Sequence, residues 1–353
     1  EVQDLVEHEL MEREYFDVAK AYIIYRYEHS KKREEKKQEV VKKIEERGLL
    51  ITKRSGEKDI FSVDRIRNTI ELSLAPENKS NVNVDHIVSQ VQSEVYDGIT
   101  TEELEKTLVS VTRSMIERDP AYNQLAAQLA LNSLYKEVFV RDSVSLADAD
   151  FAQTYRESFK KNLERGVEIG SYDPRMLEFD LDKIAEYLQP ERDGLLKYFG
   201  VATLTDRYFV KDKEAKRFLE APQHFWMRVS MGLALAEKES KEVWAVRFYN
   251  NLSTLRFVTS TPTLFHSGTP RPQLSSCYLN TVEDDLEHIF KVFGDNAQLS
   301  KWAGGIGTDW ANLRGTGAVI KKAGTTSQGM VPFFKMANDV PGAINGSCPG
   351  GGA

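Results

Sequence analysis

The sequence has few cysteines and no long apolar run. Only two of its 353 residues are cysteines, Cys277 and Cys348, so we expect a reducing, cytoplasmic compartment rather than a secreted fold held by disulfides. No apolar run reaches the length of a membrane helix, which needs about 18 residues. The opening EVQDLVEHEL lacks the order of a signal peptide. Because it starts without Met, in the middle of a helical pattern, we expect further residues upstream.

The chain also lacks clustered histidines and an excess of positive charge. Its six histidines show no HxxxH or Cys/His spacing, so we expect no protein-ligated zinc or iron. The formal net charge of -7 argues against a nucleic-acid binder, although local Arg/Lys clusters can still bind small anions. The length predicts two or three domains at about 150 residues each.

The N-terminal segment has helical spacing and then a run of charge. Residues 1–29 are predicted to form a helix, and residues 30–47 (SKKREEKKQEVVKKIEER) a charged helical linker or a basic docking patch. The stretch VAKAYIIYRYE resembles LAAQLALNSLYKE at 125–137. We interpret residues 1–29 as the last helices of an earlier copy of the following unit; two unrelated amphipathic helices are the alternative.

Residues 48–140 have the pattern of a compact unit. The stretch LLITKRSGEKDIFSV predicts two short strands around a turn at Ser55-Gly56. Four helices are predicted after it, with Asp64 as the cap of the first and Thr100 or Thr101 starting the third in a capping box with Glu103 or Glu102. Their ranges are 64–74, 85–96, from 100 or 101, and 122–138.

This unit resembles the ATP-cone domain, an allosteric module that binds ATP or dATP. The resemblance is carried by Lys53-Arg54-Ser55-Gly56, by YDGITTEELEKTL (96–108) and by LAAQLALNSLYKE. It implies that the nucleotide is contacted by five residues: Lys53, Arg54, Arg65, Thr101 and Lys136. Glu105 departs from the pattern, because the family often has His there and a carboxylate repels a triphosphate unless Mg²⁺ intervenes. A degenerate, purely structural cone is the alternative.

The remaining sequence resembles the ribonucleotide reductase large subunit, of the class I type. The runs FVTSTPTLFHSGTPRPQLSSCYLNTVEDDLEHIF (257–290) and WAGGIGTDWANLRGTGAVIKKAGTTSQGMVPFFKMAND (302–339) carry it. The implied fold class is α+β to α/β: the cone, a helical reductase region over 141–252, and the first half of a ten-stranded α/β barrel from 253 to 353. Helices are predicted over 222–236 and 241–252.

The reductase resemblance also implies a substrate site. A lone cysteine is often a small buried hydrophobe, but Cys277 aligns with one of two cysteines that reduce the substrate by forming a disulfide. Substrate phosphates and ribose are then expected to contact five further residues: Thr261, Ser276, Ala303, Gly304 and Gly305. Glycine lets the backbone approach an anion closely.

A dNTP effector site is implied as well. Asp284 could simply cap the helix that follows it, and the resemblance adds a hydrogen bond to the effector's deoxyribose. Arg314, Ile320 and Lys321 lie in the glycine-rich loop LRGTGAVIKKAG, which is similar to the family's effector loop. Two cations among glycines suit phosphate binding.

The family's reaction is radical chemistry. A thiyl radical removes the 3′ hydrogen of a ribonucleotide, the 2′-hydroxyl leaves as water, and a cysteine pair supplies the electrons. The resemblance implies nucleotide effectors with Mg²⁺, a separate metal-containing small (beta) subunit that supplies the radical, thioredoxin or glutaredoxin as reductant, and a homodimer or higher oligomer. Diphosphate substrates are inferred from the class alone.

The chain departs from the family at its end. It lacks the Asn-x-Cys-x-Glu stretch of the radical cysteine, and VPGAINGSCPGGGA replaces the expected Gln-Gly-Gly-x-x-Arg-like loop. We therefore assign Cys348 no catalytic role and expect this chain alone to be inactive. The alternatives are a catalytically inactive ATP/dATP-sensing module and a helical scaffold that binds no nucleotide.

Overall fold

The computed structural model describes residues 2–45, 48–141, 143–146, 148–301, 304–320 and 324–345. The chain divides into two compact units. The first contains Glu1–Asp148 and Leu196–Thr203, and the second contains Ala149–Leu195 and Leu204–Ala353.

The first unit begins with two helices, α1 (Val2–Glu12) and α2 (Phe16–Glu45). The prediction of one helix over 1–29 is wrong, because the backbone turns at Glu14, which has a φ of 62°. Arg26 ties the two helices together through Asp4 and Glu7, both at 2.7 Å. Helix α2 continues through most of the charged segment 30–47.

A hairpin and four helices follow, which confirms the predicted architecture of residues 48–140. Strands β1 and β2 pair antiparallel around Gly56, whose φ of 85° suits glycine. The elements are β1 (Leu50–Thr52), β2 (Lys58–Ile60), α3 (Val63–Ser73), α4 (Val84–Glu94), α5 (Thr101–Ser114) and α6 (Ala121–Phe139). The apolar faces of these helices form one core, whose most buried residues include Ile70, Ile87, Val91, Ile99 and Leu125.

Side-chain caps fix where three of these helices begin; at α4 the Asn83 side chain accepts the His86 N–H at 2.9 Å. Thr100 and Glu103 form the reciprocal capping box at the start of α5, as the sequence predicted. At α3 the predicted cap Asp64 is wrong, because the Ser62 hydroxyl accepts the Arg65 N–H at 3.3 Å. Asp64 instead lies in the first helical turn, where a negative charge is favourable.

The helical part of the second unit surrounds a nearly fully buried helix, α10, against which α11 packs. In chain order the elements are α7 (Phe151–Glu168), α8 (Leu181–Glu186), α9 (Tyr198–Thr203, in the first unit), β3 (Lys211–Asp212), β4 (Arg217–Phe218), α10 (Pro222–Ala234) and α11 (Lys241–Ser253). The two helices predicted over 222–236 and 241–252 are confirmed within two residues at each end.

The last part of the second unit contains a parallel strand pair joined by a helix. The elements are α12 (Thr261–His266), β5 (Cys277–Thr281), α13 (Leu286–Lys301), β6 (Gly305–Asp309), β7 (Val319–Ile320), β8 (Thr325–Thr326) and α14 (Val331–Asn345). Strands β5 and β6 pair parallel, with Cys277 opposite Gly305. Parallel strands require a crossover, and α13 supplies it, so this segment is a β-α-β unit of the kind that opens an α/β barrel.

Two further properties concern the described part of the chain. None of its helices is long and apolar enough to cross a membrane. It also contains no group of three or more His, Cys, Asp or Glu side chains that could hold a metal ion.

Candidate functional site

The cone hairpin places two of the predicted cations beside acidic side chains. Lys53 Nζ lies 3.1 Å from Glu57 and 3.4 Å from Asp59. Arg65 Nη1 lies 2.7 Å from the same Asp59 carboxylate. The hydrogen bond from Arg65, together with that from the Ile60 backbone, lowers the pKa of Asp59 to about 2. Asp59 is therefore a firmly ionised partner for both cations at neutral pH.

The other two predicted cations converge on Glu105. Arg54 Nη2 lies 3.0 Å from Glu105 Oε2, and Lys136 Nζ lies 2.6 Å from Glu105 Oε1. The Ser133 hydroxyl donates to Oε2 at 2.7 Å. Glu105 comes from α5, Arg54 from the hairpin turn, and Ser133 and Lys136 from α6. One carboxylate therefore joins three elements of the cone.

The start of α5 lies against the hairpin. Thr52 forms a parallel bridge with Thr100, and its N–H donates to the Ile99 carbonyl at 2.9 Å. Thr101, the first residue of α5, therefore follows directly on a residue held at the end of β1. The structure thus places the four predicted cations in two groups, Lys53 and Arg65 on Asp59 and Arg54 and Lys136 on Glu105. Thr101 lies beside the hairpin at the start of α5.

Cys277 begins strand β5 and is exposed, so the alternative of a buried structural cysteine is wrong. The Ser276 hydroxyl lies 3.5 Å from its Sγ. The Ser276 carbonyl accepts the Gly305 N–H at 2.7 Å. Ser276, Cys277, Gly304 and Gly305 are thus brought together at the start of the parallel pair.

The glycines here are close-packed against the chain itself. A Cβ on Gly304 would lie 2.9 Å from the Tyr278 ring, closer than real contacts allow. The Gly304 N–H donates to the Leu299 carbonyl at 3.1 Å, and that of Gly305 is also engaged. The two glycines therefore allow close packing of neighbouring groups of the chain, and their N–H groups are not free donors. Thr261 Oγ1 lies 3.2 Å from Tyr208 Oη, and Ala303 lies outside the described residues.

Three of the four predicted effector residues line one cavity of about 240 Å³. Arg314 Nε donates to both oxygens of Asp284, at 2.8 and 3.0 Å. Ile320 lies in the same wall, and Lys321 lies outside the described residues. Among the described residues the lining is Asp284, Asp285, Leu286, Ile289, Leu313, Arg314, Ile320, Ser327, Gly329 and Phe333.

Asp284 is not the cap of α13. Asp285 has that role, because its carboxylate accepts the His288 N–H at 3.0 Å and its carbonyl accepts the Ile289 N–H at 2.9 Å. The Asp284 side chain is left to pair with Arg314. The interpretation of Asp284 as an N-cap is therefore wrong, and its carboxylate faces the cavity.

Sequence reasoning missed several residues of these sites. Glu57 and Asp59 neutralise Lys53 and Arg65, and a search for acidic residues alternating with the hairpin cations would have found them. Ser133 lies one turn before Lys136 on α6, a spacing that places both on one helical face. No sequence pattern indicated Phe333, since it reaches the cavity from α14, which follows the glycine-rich loop in the chain.

Three family profiles match the chain in order. The profile described as ATP cone domain matches residues 1–31 and 49–137. The profile for the ribonucleotide reductase all-alpha domain matches 194–272, and the one for its barrel domain matches 275–353.

The curated relatives have matching names. Ribonucleoside-diphosphate reductase subunit alpha of Chlamydia pneumoniae is 42% identical, over 98% of this chain and 33% of the relative. The Chlamydia trachomatis protein of that name is 38% identical, over 98% of this chain and 32% of the relative. The Helicobacter pylori protein of that name is 32% identical, over 84% of this chain and 36% of the relative. This chain thus spans about a third of the length of these relatives, and it belongs to the ribonucleotide reductase large-subunit family, as its N-terminal portion with the ATP-cone.

Proposed function

We propose that this chain is the nucleotide-sensing part of a reductase that converts ribonucleoside diphosphates to deoxyribonucleotides, regulated by ATP or dATP at the cone and by dNTPs at a second site. The observation that carries the proposal is the cavity around Asp284, Arg314 and Ile320. Three residues singled out by family resemblance alone line one hollow in the fold.

The chemistry of this cavity suits a deoxynucleotide. Asp284 accepts hydrogen bonds, as a sugar hydroxyl requires, and Arg314 offers the planar donors that phosphate oxygens take. Leu313, Ile320 and Phe333 supply an apolar wall for a base. Both members of the Asp284–Arg314 pair are about one-third exposed, so a ligand can separate them at small cost.

The catalytic part of the proposal rests on Cys277. Its exposed thiol beside the Ser276 hydroxyl suits one member of the redox-active cysteine pair, with the hydroxyls of Thr261 and Ser276 as substrate contacts. The reaction consumes two thiols and needs a radical cysteine besides, whereas this chain has Cys277 and Cys348 alone. We therefore expect the activity of the longer protein and none from this chain by itself.

The proposal includes partners and boundaries. A metal-containing small subunit supplies the radical, thioredoxin or glutaredoxin restores the thiols, Mg²⁺ accompanies the nucleotides, and the large subunit forms a homodimer or higher oligomer in the cytoplasm. The proposed domains are an earlier cone remnant, a linker, the ATP-cone, the helical reductase region and the start of the barrel, over 1–29, 30–47, 48–140, 141–252 and 253–353.

Calorimetric titration of the 353-residue chain with ATP, dATP and dTTP tests the proposal. We expect ATP or dATP to bind at the cone and dTTP to bind at the cavity. Arg314→Ala removes the phosphate partner, and we expect dTTP binding to weaken at least about tenfold with ATP binding unchanged. Lys291→Ala is the matched control, because Lys291 lies on α13 and pairs with Asp295 at 2.6 Å on the exposed surface.

The other outcomes identify the alternatives. Binding of ATP or dATP without any dTTP site favours a regulatory module that lacks the reductase effector site. Absence of binding by all three nucleotides favours a helical scaffold. Unchanged dTTP binding by Arg314→Ala would show that the cavity around Asp284 is not the site.

A further inference from the structure

Glu105 occupies an unusual position among the cone cations. Its carboxylate accepts from a guanidinium, an ammonium and a hydroxyl: Arg54 at 3.0 Å, Lys136 at 2.6 Å and Ser133 at 2.7 Å. Such a convergence of two cations and a hydroxyl is also the donor set that binds phosphate oxygens. The structure thus holds an anionic group of its own where the cone has its phosphate-binding chemistry.

The cradle around Glu105 has unused capacity. Arg54 Nη1 is buried and has no hydrogen-bond partner among the described residues. A buried unsatisfied donor is costly, and a carboxylate with two oxygens that already accept three bonds does not satisfy it. A phosphate group brings more acceptor oxygens than a carboxylate does. The unpaired Nη1 therefore favours replacement of Glu105 by a larger anion.

Glu105 is also the carboxylate that can leave. Asp59, which holds Lys53 and Arg65, is in addition fixed by the Ile60 N–H at 2.8 Å. The bonds of Glu105 shown in the structure are all to side chains of other elements, and its longer side chain can turn toward water. Glu105, Arg54 and Lys136 are each about one-fifth exposed, so solvent and a polyphosphate can reach them.

We propose that Glu105 is a resident competitor for nucleotide phosphate: in the free cone it holds Arg54 and Lys136, and a polyphosphate must displace it to bind. The inference rests on the proposed nucleotide binding by the cone and adds how that binding is regulated. Because Glu105 joins the hairpin to α6, its displacement exchanges an internal tie between these elements for one through the ligand. Nucleotide binding is thereby linked to the contact between hairpin and helix.

Calorimetry of the 353-residue chain with ATP, with inorganic tripolyphosphate and with adenosine tests this proposal. Glu105→Gln removes the competing charge and keeps the size of the side chain. We expect ATP and tripolyphosphate each to bind this variant about tenfold more tightly than they bind the unmodified chain. A tenfold gain in affinity corresponds to about 1.4 kcal/mol. Adenosine, which has no phosphate, should show no change.

Glu102→Gln is the matched control. Glu102 lies one turn earlier on α5 and pairs with exposed Lys106 at 2.6 Å, so the substitution removes the same charge from the same helix without touching Arg54 or Lys136. We expect it to leave affinity within about twofold, since exposed charges act weakly. Glu105→Ala, which also removes the amide, should tighten binding like Glu105→Gln and guards against a fold defect of one variant.

Three results would overturn the proposal. Unchanged or weaker ATP binding by both Glu105 variants, with normal binding by the unmodified chain, would leave the cone a nucleotide site without a competitor. A gain for ATP but none for tripolyphosphate would place Glu105 beside the base. Failure of the unmodified chain and of both variants to bind ATP would remove the inference together with the proposed function of the cone.

Discussion

An ion pair in the first unit and one in the second differ in how deeply they are buried. In the first unit, Glu105 pairs with Arg54 and Lys136 at the surface of the cone, where each side chain is about one-fifth exposed. In the second unit, Glu220 and Arg228 pair at 2.6 Å with 2% and 1% exposure. The chemistry is the same in both places, but a ligand can reach only the cone pair.

The buried Glu220–Arg228 pair, or sealed pair, is held by several further hydrogen bonds. Arg228 Nη1 donates to the carbonyls of Ser267 at 2.7 Å and Leu264 at 3.2 Å, and Glu220 Oε2 accepts the Val210 N–H at 2.8 Å. These bonds offset the cost of removing two charges from water. Burial thus distinguishes an ion pair that organises a core from one that can be exchanged for a bound anion.

The largest expected effect comes from breaking the sealed pair. Glu220→Ala leaves Arg228 as an uncompensated buried charge, and we expect the unfolding free energy of the second unit to fall by about 3–5 kcal/mol. All four tryptophans belong to that unit, so urea unfolding followed by tryptophan fluorescence measures it directly.

The matched control for Glu220 is Glu214→Ala. Glu214 also pairs with an arginine, Arg165 at 2.9 Å, but is 82% exposed, and its loss should cost less than about 1 kcal/mol. If the two substitutions had equal effects, burial would not be what distinguishes the pairs.

A second effect follows from the neutral His224 beside the sealed pair. Burial lowers its pKa to about 3, while in the unfolded chain it is about 6.5. Between these values the unfolded state binds a proton that the folded state does not. Stability of the second unit should therefore fall by about 1.4 kcal/mol for each pH unit below 6.5.

Urea unfolding between pH 7 and pH 5, again by tryptophan fluorescence, measures this slope. His224→Gln removes the titrating group, and we expect the slope of its unfolding free energy to be smaller by nearly one proton near pH 5. Arg165 lowers the pKa of the Asp212 carboxyl to about 2. Carboxylates held by arginine in this way lose their contribution to the unfolding free energy only below pH 5. Equal slopes for the two chains would show that His224 is protonated in the folded state.

Local patterns allowed much of the fold to be predicted. The hairpin turn at Ser55-Gly56, the capping box of Thr100 and Glu103, and Pro222 in the first turn of α10 are decided by neighbouring residues. The break at Glu14 was missed because no glycine or proline marks it. Leu196–Thr203 joins the first unit through tertiary contacts, Tyr198 N–H to Asn123 at 2.9 Å among them, and no local pattern announces such contacts.

The candidate sites could be predicted in composition and less well in arrangement. Resemblance indicated Arg54, Lys136 and Arg314, whose cationic side chains suit an anion, and Asp284, whose carboxylate suits a sugar hydroxyl. Glu105 was expected to repel a triphosphate, and the structure adds that it holds the cations themselves. Pairings across 31 and 51 residues of chain, as for Lys136 and Arg54 with Glu105, depend on helix packing and are not visible in sequence spacing.

The smallest expected effect completes the comparison of the two pairs. Glu105→Gln should lower the unfolding free energy of the first unit by about 1 kcal/mol or less, because Arg54 and Lys136 can turn to water when their partner is neutral. The first unit has no tryptophan, so the measurement is urea unfolding by circular dichroism at 222 nm, with fluorescence reporting the second unit separately. A loss near 3 kcal/mol would make the Glu105 pair as structural as that of Glu220, and a phosphate could not then displace it at modest cost.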